Sequence, residues 1–535
     1  MKKQFFLLIA LLMPMMASAY EAFIDGIYYY FNHAAKTATV TYYSWYGITD
    51  VFYKGEVNIP PTVDYNGETY TVTEIGKSAF SECSELTSVT IPSSVTTIGE
   101  RAFCACGLPS ITIPESVTTI GNVAFAGCRF TSFTIPSSVT TIGESAFSNC
   151  NGLTSITIPS SVTSLGREAF CGCKNLTSVT LPESVTSIEY QTFGGCVNLP
   201  SITIPTSVTS IGSYAFNQCS SLTSITIPAS VTTIGNNAFS YCTGLTSITI
   251  PASVTSIGRS AFYGCGLSSI EVESGNTVYD SRDNCNAIIV TATNELFFGC
   301  KNSFIPDGVE SIGGTAFAYE GDSFSGCTGL TSINIPASVT RIGSYAFWNC
   351  SDLTSVTIGG SAVTIEQEAF NGCTALRTVR SYIKEPNNIS KFDEGTYRQG
   401  TLYVPFGTKD LYVRFDGWRE FLHIEEMEEG ASPNTKGACA TPTIVVADNK
   451  FRFQCKTPGA KFTSSLTTEE QTFEGDEVRM GDEVTYILTV YANAPGYDRS
   501  EPAIYKFTIN KSDVNGDGTV DVADISTIIS VMAEM

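Results

Sequence analysis

Apolar residues recur through the middle of this chain with a period of about 23 residues, and a Phe-x-x-Cys step marks every copy of the pattern. A period this short accommodates one supersecondary unit, so each copy can bury its apolar face only by stacking on its neighbours. The pattern therefore predicts a solenoid. The twelve copies of the step are Phe80/Cys83, Phe103/Cys106, Phe125/Cys128, Phe147/Cys150, Phe170/Cys173, Phe193/Cys196, Phe216/Cys219, Phe239/Cys242, Phe262/Cys265, Phe324/Cys327, Phe347/Cys350 and Phe370/Cys373.

The copy that follows Cys83 shows what each position does. Apolar and hydroxyl residues alternate before the first proline, which predicts a strand with Val89 and Ile91 facing inward. Pro92 ends this strand because it has no N–H to donate. Gly99 marks a turn that needs either a positive φ or the close approach of another backbone. Each copy should therefore form one closed coil.

The repeated unit resembles the BspA-like class of bacterial leucine-rich repeat proteins, whose units read AFxxCxxLTSITIPxSVTxIG. The stretch from Ala215 to Gly235 matches it almost letter for letter, and the resemblance extends over about residues 76–379. It implies a bacterial surface or secreted protein associated with adhesion to host proteins and to other cells.

The first 19 residues have the form of a secretory signal peptide. Lys2 and Lys3 precede an apolar run, and the small residues Ala17 and Ala19 follow it as a cleavage site. No later stretch reaches the roughly 18 apolar residues that a membrane span needs. We therefore expect a chain without a membrane span that is exported, either secreted or at the cell surface.

The remaining segments are predicted to be mainly β, in a multi-part architecture around the leucine-rich repeat solenoid. Asn66-Gly67 indicates a hairpin before the first repeat, and alternating runs after a polar linker indicate a small sandwich that resembles fibronectin-like modules. The predicted segments are 1–19, signal peptide; 20–75, N-terminal β cap; 76–379, solenoid; 380–427, C-terminal cap; 428–437, linker; 438–510, β-sandwich module; and 511–535, a single calcium loop and helix.

Charge narrows the range of partners. The chain has 30 basic and 52 acidic residues and a formal net charge of −22, and loss of the two signal lysines makes it more negative. Such a charge opposes binding to phosphate backbones and anionic membranes. Nucleic acid is therefore not expected as a partner.

Twelve of the eighteen cysteines occupy one slot of the repeat. Equivalent atoms in stacked coils lie about 4.8 Å apart, which is within reach of a disulfide, but parallel side chains disfavour its geometry. We interpret this ladder as buried thiols that act as small hydrophobes. A metal ladder is less favoured because tight Cys-x-x-Cys pairs and companion histidines are absent. Outside the ladder, Cys285 with Cys300 and Cys439 with Cys455 could each form a disulfide or remain free.

Oxygen-bearing residues near residue 520 have the spacing of a calcium loop. They fill positions 1, 3, 5, 7, 9 and 12 of the EF-hand order, and Gly518 takes the sixth position, where the loop turns sharply. The segment resembles half of a dockerin, which implies a cohesin-like partner in a polysaccharide-degrading complex, although dockerins carry two such units. The predicted Ca²⁺ ligands are Asp513, Asn515, Asp517, Thr519, Asp521 and Asp524.

Signals of catalysis are weak in this sequence. The two histidines, His33 and His423, fall in opposite caps, so neither a histidine-based triad nor a zinc site is indicated. Ser323 stands in a Gly-Asp-Ser step, but it occupies the alanine slot of the repeat and is interpreted as a packing residue. We expect no enzymatic activity.

Comparison of the copies with one another locates a candidate partner surface. The strand positions are uniformly Ser and Thr, whereas the turn from the glycine to the cysteine varies and carries Tyr, Trp and Arg. These residue types dominate recognition energetics, although turn residues under little constraint would give the same pattern. The proposed partner-binding residues are Tyr190, Tyr214, Tyr241, Tyr263, Tyr345 and Trp348.

The sequence thus favours a secreted, non-enzymatic leucine-rich-repeat protein that binds a host or bacterial surface protein or glycan. The alternative is a non-catalytic subunit or scaffold of an extracellular polysaccharide-degrading complex, recruited through the dockerin-like tail. A purely structural surface spacer is a third possibility.

Overall fold

A computed structural model describes residues 20–42, 53–313, 323–360, 363–389, 392–429, 431, 442–447, 450–455, 461–468, 483–493 and 503–510. The signal peptide, most of the linker, Cys439 and the calcium segment lie outside the described residues. Within them the protein is mainly β, and its centre is a solenoid of about 15 turns with repeats about 23 residues apart. The predicted fold class is therefore confirmed.

The N-terminal cap is an antiparallel meander that turns into the parallel solenoid. Its strands are β1 (Ala22–Ile24), β2 (Ile27–Asn32), β3 (Thr37–Thr41), β4 (Gly55–Asn58), β5 (Thr62–Tyr65) and β6 (Glu68–Ile75). Strands β1, β2 and β3 pair antiparallel, and β3 then pairs parallel with β6. Asn66 and Gly67 both have positive φ between the antiparallel strands β5 and β6, so the predicted hairpin is confirmed.

Each regular coil contributes a longer strand to one face and a two-residue strand to the other. In the first part of the solenoid these are β7 (Leu86–Thr90), β8 (Thr97–Ile98), β9 (Thr119–Ile120), β10 (Thr141–Ile142), β11 (Ser155–Thr157), β12 (Ser164–Leu165), β13 (Ser178–Thr180), β14 (Ser187–Ile188), β15 (Ser210–Ile211), β16 (Thr233–Ile234), β17 (Ser247–Ile250), β18 (Ser256–Ile257) and β19 (Ser269–Val272). In β7, Val89 is buried while Ser88 and Thr90 are exposed, as the alternation predicts. The sequence pattern did not reveal the short strands.

The longer strand is not regular in every coil. No strand forms at residues 109–113, 131–135, 201–204 or 224–227. Pro109 and Pro200 stand where Thr177 of another coil donates its N–H to Thr154 (2.8 Å). Proline removes that donor, which explains the irregular pair of coils at each site.

Gly99 occupies a position that most coils fill with glycine, which we call the glycine slot. The glycine there serves close packing and does not need a positive φ. A Cβ on Gly99 would lie 2.9 Å from the carbonyl oxygen of Ile75 in the coil before. The left-handed backbone occurs two residues later, at Arg101 (φ 54°), and again just before the cysteine, at Ala105 (φ 53°). Both left-handed positions recur in other coils, where they are filled by many residue types.

Phenylalanine rings form a stack through the regular coils, in two stretches, which we call the phenylalanine spine. From Phe80 to Phe262 adjacent rings are 5.1–5.8 Å apart, centroid to centroid, with interplanar angles of 2–14°. A second stretch runs from Phe324 to Phe392 at 4.9–5.0 Å. Each coil of these two stretches therefore contributes one ring to a shared core, at about the spacing that the parallel strands impose.

The ladder cysteines are free thiols among the described residues, and most of them donate a hydrogen bond as well as filling a small apolar slot. From Cys128 to Cys265, and again at Cys350 and Cys373, the thiol donates to the carbonyl oxygen of the spine phenylalanine one coil earlier, at 3.0–3.3 Å. Burial raises the pKa of Cys83 to about 12. Cys285 and Cys300 are also free, so they form no disulfide here.

The irregular region after β19 is an enlarged coil that restarts the solenoid. Its elements are β20 (Tyr279–Asp280), a 3-10 turn (Arg282–Asn284), β21 (Ala287–Val290), β22 (Glu295–Gly299) and β23 (Ser311–Ile312). Strands β20, β21 and β22 pair antiparallel before β22 pairs parallel with β23, which repeats the order of the N-terminal cap. Phe298 contacts Phe262 at 5.5 Å but is tilted by 50°, so the spine is interrupted here.

The last coils lead into a C-terminal cap with two short helices. The elements are β24 (Ser332–Ile335), β25 (Arg341–Ile342), β26 (Ser355–Ile358), β27 (Thr364–Ile365), β28 (Thr378–Ser381), α1 (Glu394–Gln399), β29 (Thr401–Val404), α2 (Lys409–Tyr412) and β30 (His423–Glu426). Phe392 stacks on Phe370, and the buried Trp418 lies 6.0 Å from Phe392. This aromatic cluster covers the last spine ring.

Beyond the linker, the described residues form two antiparallel sheets. Their strands are β31 (Thr443–Ala447), β32 (Lys450–Gln454), β33 (Lys461–Thr468), β34 (Glu483–Asn493) and β35 (Ala503–Asn510). Strand β31 pairs with β32, and β34 pairs with both β33 and β35. The described residues of this module form strands, and the β-sandwich and its likeness to fibronectin modules stay predictions.

The left-handed turn position gives a reciprocal test of the coil geometry. Val123 (φ 59°) and Asn237 (φ 54°) occupy the same slot, and a β-branched residue is strained there whereas Asn is tolerated. We expect Val123→Asn to raise the free energy of unfolding by about 1 kcal/mol and Asn237→Val to lower it similarly. Thermal and urea unfolding measure both, and a loss of stability in Val123→Asn would contradict the assignment.

Candidate binding surface on the turn edge

The turn edge, which we define as the segment from the glycine slot to the ladder cysteine of each coil, has a backbone in which most N–H groups are bonded. In the coil of Phe216, alternate N–H groups donate to the next coil, for example from Tyr214 to Asn236 and from Phe216 to Ala238, both at 2.8 Å. The intervening N–H groups close turns within the coil. Side chains between the buried positions therefore project from a rigid frame.

Tyr190 and Tyr214 lie together on neighbouring coils. Their ring centroids are 5.7 Å apart in an edge-to-face arrangement, and the Arg167 guanidinium lies 4.7 Å from the Tyr190 centroid. Both tyrosines are half-buried, and Arg167 is exposed. The three residues form one cation–aromatic row across three coils.

Tyr241 and Tyr263 form a second pair that rests on glycines. Their centroids are 5.2 Å apart at 88°, and Tyr241 is 46% exposed. A Cβ on Gly264 would lie 2.9 Å from the Tyr241 ring, and one on Gly326 would lie 2.9 Å from the Tyr263 ring. The absence of side chains at these glycines leaves room for each ring to lie over the next coil.

Tyr345 and Trp348 form the third pair, within a single coil. Their centroids are 6.4 Å apart at 84°, and both are half-buried. The structure thus brings the six predicted residues together as three aromatic pairs. Five of the six are half-buried, and Tyr241 is the most accessible.

Ser and Thr hydroxyls that flank the strands bond from coil to coil. Thr354 donates its hydroxyl to the Thr331 carbonyl (2.8 Å), and Ser207 donates to the Val185 carbonyl (2.7 Å). The same two bonds recur in many other coils. These flanking positions therefore join the coils, which accounts for their uniformity.

Two residues that the sequence reasoning missed are glutamates in the glycine slot, Glu189 and Glu366. The Arg341 guanidinium holds Glu366 from the coil before, with Nε–Oε1 at 2.7 Å and Nη2–Oε2 at 3.0 Å. Burial raises the pKa of Glu366, but the hydrogen bonds from Arg341 and Ser344 outweigh it and hold that pKa below its usual value. Departure from the repeat was the signal that could have revealed both residues.

The residues considered for catalysis have structural surroundings. His33 contacts the Tyr70 hydroxyl through Nδ1 (2.7 Å) and Glu21 through Nε2 (2.8 Å), within the N-terminal cap. Ser323 is fully buried and donates to the Leu296 carbonyl (2.9 Å), as expected of a packing residue.

Stacked coils of one strand-turn unit, with a ring and a thiol at fixed positions, define a leucine-rich repeat solenoid. The description "BspA type leucine rich repeat region" matches residues 73–175, 163–288 and 290–403. The chain therefore belongs to the BspA-type leucine-rich repeat family. Proteins of this type are typically surface-associated or secreted, and such repeats are typically non-enzymatic scaffolds.

Two solved structures are similar to this chain, and the first supports the assignment. A leucine-rich repeat protein from Bacteroides ovatus is 30% identical, with a TM-score of 0.55, and the match covers 76% of this chain and 100% of that one. A leucine-rich cell surface protein from Faecalibacterium prausnitzii is 29% identical over 77% of this chain and 96% of that one, with a TM-score of 0.46. No curated protein matches the chain. Among the described residues, no helix is long and apolar enough to cross a membrane.

Proposed function

We propose that this protein is a secreted or surface-held, non-enzymatic adhesin that binds a host or bacterial surface protein through its turn edge. The observation that carries the proposal is the Tyr241–Tyr263 pair, whose edge-to-face rings rest on glycines and leave Tyr241 46% exposed. Large aromatic side chains that are held in place lose little entropy when a partner covers them.

The two strand faces are less suited to this role. Their hydroxyls repeat from coil to coil, and those beside the strands donate to carbonyls of the preceding coil, so these faces offer little that distinguishes one ligand from another. The turn edge instead combines aromatic area with Arg167, whose guanidinium keeps its edge donors while its face lies over Tyr190. Tyr and Arg are enriched among residues that dominate interface energy.

Substitution of three turn-edge tyrosines tests the proposal. We expect Tyr214→Ser, Tyr241→Ser and Tyr263→Ser together to weaken adhesion at least tenfold, since each aromatic anchor contributes on the order of 1–2 kcal/mol. The assay is binding of the whole protein to cultured host cells, other bacteria and immobilised matrix proteins. Tyr403→Ser is the matched control, because Tyr403 also contacts an arginine, Arg380, but lies on β29 outside the turn edge.

Both variants should keep the circular dichroism and melting temperature of the unchanged protein. Adhesion that is equal in the triple variant and the unchanged protein would rule out the turn edge as the partner surface.

A second candidate function rests on the residues from Asp513 to Asp524, which lie outside the described residues. Their oxygen donors are of the type that Ca²⁺ prefers, in the EF-hand order. We propose that this segment binds one Ca²⁺ and docks on a cohesin-like module of a polysaccharide-degrading complex.

Calorimetric titration of Ca²⁺ into the full chain tests the metal site by itself. We expect one site, and Asp513→Ala with Asp517→Ala should weaken it at least tenfold because two charged ligands are lost. Asp448→Ala, an acidic change outside the loop, is the control. Failure of the unchanged protein to bind at millimolar Ca²⁺ would remove the proposal, and with it the calcium-dependent docking.

A further inference from the structure

A cleft interrupts one face of the solenoid between two neighbouring coils. The short strands β12 and β14 do not pair, and neither Thr186 nor Glu189 donates its N–H to the preceding coil. The same two coils remain joined on both sides of this point. The longer strands β11 and β13 pair, and the Phe170 N–H donates to the Thr192 carbonyl on the turn edge (2.9 Å).

Glu189 lies at this opening, in the slot where glycine normally lets the coils approach. In the following coil a Cβ on Gly212 would lie 2.9 Å from the Ile188 carbonyl oxygen, so a side chain in this slot crowds the coil before. Crowding alone does not open the ladder, because Glu366 in a later coil keeps it closed. At Glu189 the ladder is open, and a cleft of about 250 Å³ lies there.

Glu366 occupies the same slot in a later coil, where the protein supplies hydrogen-bond partners for its carboxylate. There the ladder stays closed, with the Glu366 N–H donating to Ile342 (2.9 Å), and the carboxylate is held by Arg341 and Ser344. The positions that correspond to Arg341 and Ser344 in the coil before Glu189 are Ser164 and Arg167.

In the cleft, therefore, a carboxylate and a guanidinium face the opening without pairing. Glu189 accepts a hydrogen bond from the Ser187 hydroxyl, and Arg167 lies over the Tyr190 ring; no ion pair joins the two charges in this described part of the chain. The floor is apolar, because Leu165 and Val185 are buried there. The remaining lining is rich in hydroxyls, from Thr163, Ser164, Thr186 and Ser187.

We propose that this cleft binds a neutral saccharide residue. Its lining mixes acceptors and donors at short range, and a sugar hydroxyl can accept from Arg167 or a backbone N–H while it donates to Glu189. The volume is just below the roughly 300–1,000 Å³ of drug-sized sites, which suits one ring. The cleft adjoins the turn edge, because Glu189 and Arg167 belong to both, but the Tyr241–Tyr263 pair that carries the proposed adhesion does not line it, so the cleft adds a ligand to that function.

Saturation-transfer NMR on the full chain tests the cleft with D-glucose, D-galactose, D-mannose and N-acetyl-D-glucosamine as probes. We expect at least one sugar to bind with a millimolar dissociation constant. Glu189→Gly restores the repeat and should close the cleft, so binding should weaken at least about tenfold. Arg167→Ser, which copies Ser344, should weaken it as well. Glu366→Gly changes the same slot where the ladder is closed, and should bind like the unchanged protein.

Three results would overturn the proposal. They are the absence of transfer to every sugar, unchanged sugar binding in both Glu189→Gly and Arg167→Ser, and binding of glycine, a zwitterionic probe, with no sugar bound. Sugar binding that persists when Tyr214, Tyr241 and Tyr263 are all changed to Ser would show that the cleft binds independently of these adhesive tyrosines.

Discussion

The contact between one coil and the next is the constraint on which the rest of the protein depends. A single coil cannot bury its own apolar face, so the ring, the thiol and the strand of each coil must repeat at one spacing. Parallel strands impose about 4.8 Å, and the phenylalanine spine follows at 5.1–5.8 Å, slightly beyond it. The glycine slot, the left-handed turn positions and the thiol-to-carbonyl bonds all keep neighbouring coils at this distance.

Uniform packing of this kind leaves little on the surface that distinguishes one ligand from another. Hydroxyls beside the strands bond to the coil before, and the uniform Ser and Thr residues of the strand faces add no specificity. Distinctive chemistry is found where a coil departs from the repeat. Tyrosines enter variable turn positions, and Glu189 enters the glycine slot at the point where two short strands do not pair. Both candidate sites are therefore exceptions supported by a regular frame.

The repeat could be derived from the sequence because each buried slot tolerates few residue types. Phe, Cys and the alternating strand were readable for that reason, and so was the hairpin at Asn66. The left-handed turn was not, because Arg101, Val123 and Tyr214 share its conformation but no chemistry. Only the position of the neighbouring coil showed that Gly99 serves close approach and not a positive φ. The cleft could not be read from the sequence, because it depends on two short strands that do not pair. Glu189 itself was visible as a departure, but its partner positions in the coil before were not.

The most direct test of this account is the stability of a variant that removes one ring from the middle of the spine. Phe216 is fully buried and stacks on rings at 5.7 and 5.4 Å. If the stack carries the solenoid, Phe216→Ala should lower the free energy of unfolding by about 3–5 kcal/mol, as in other large-to-small core changes. A loss below about 1 kcal/mol, the size of an ordinary surface substitution, would contradict the central role of the spine.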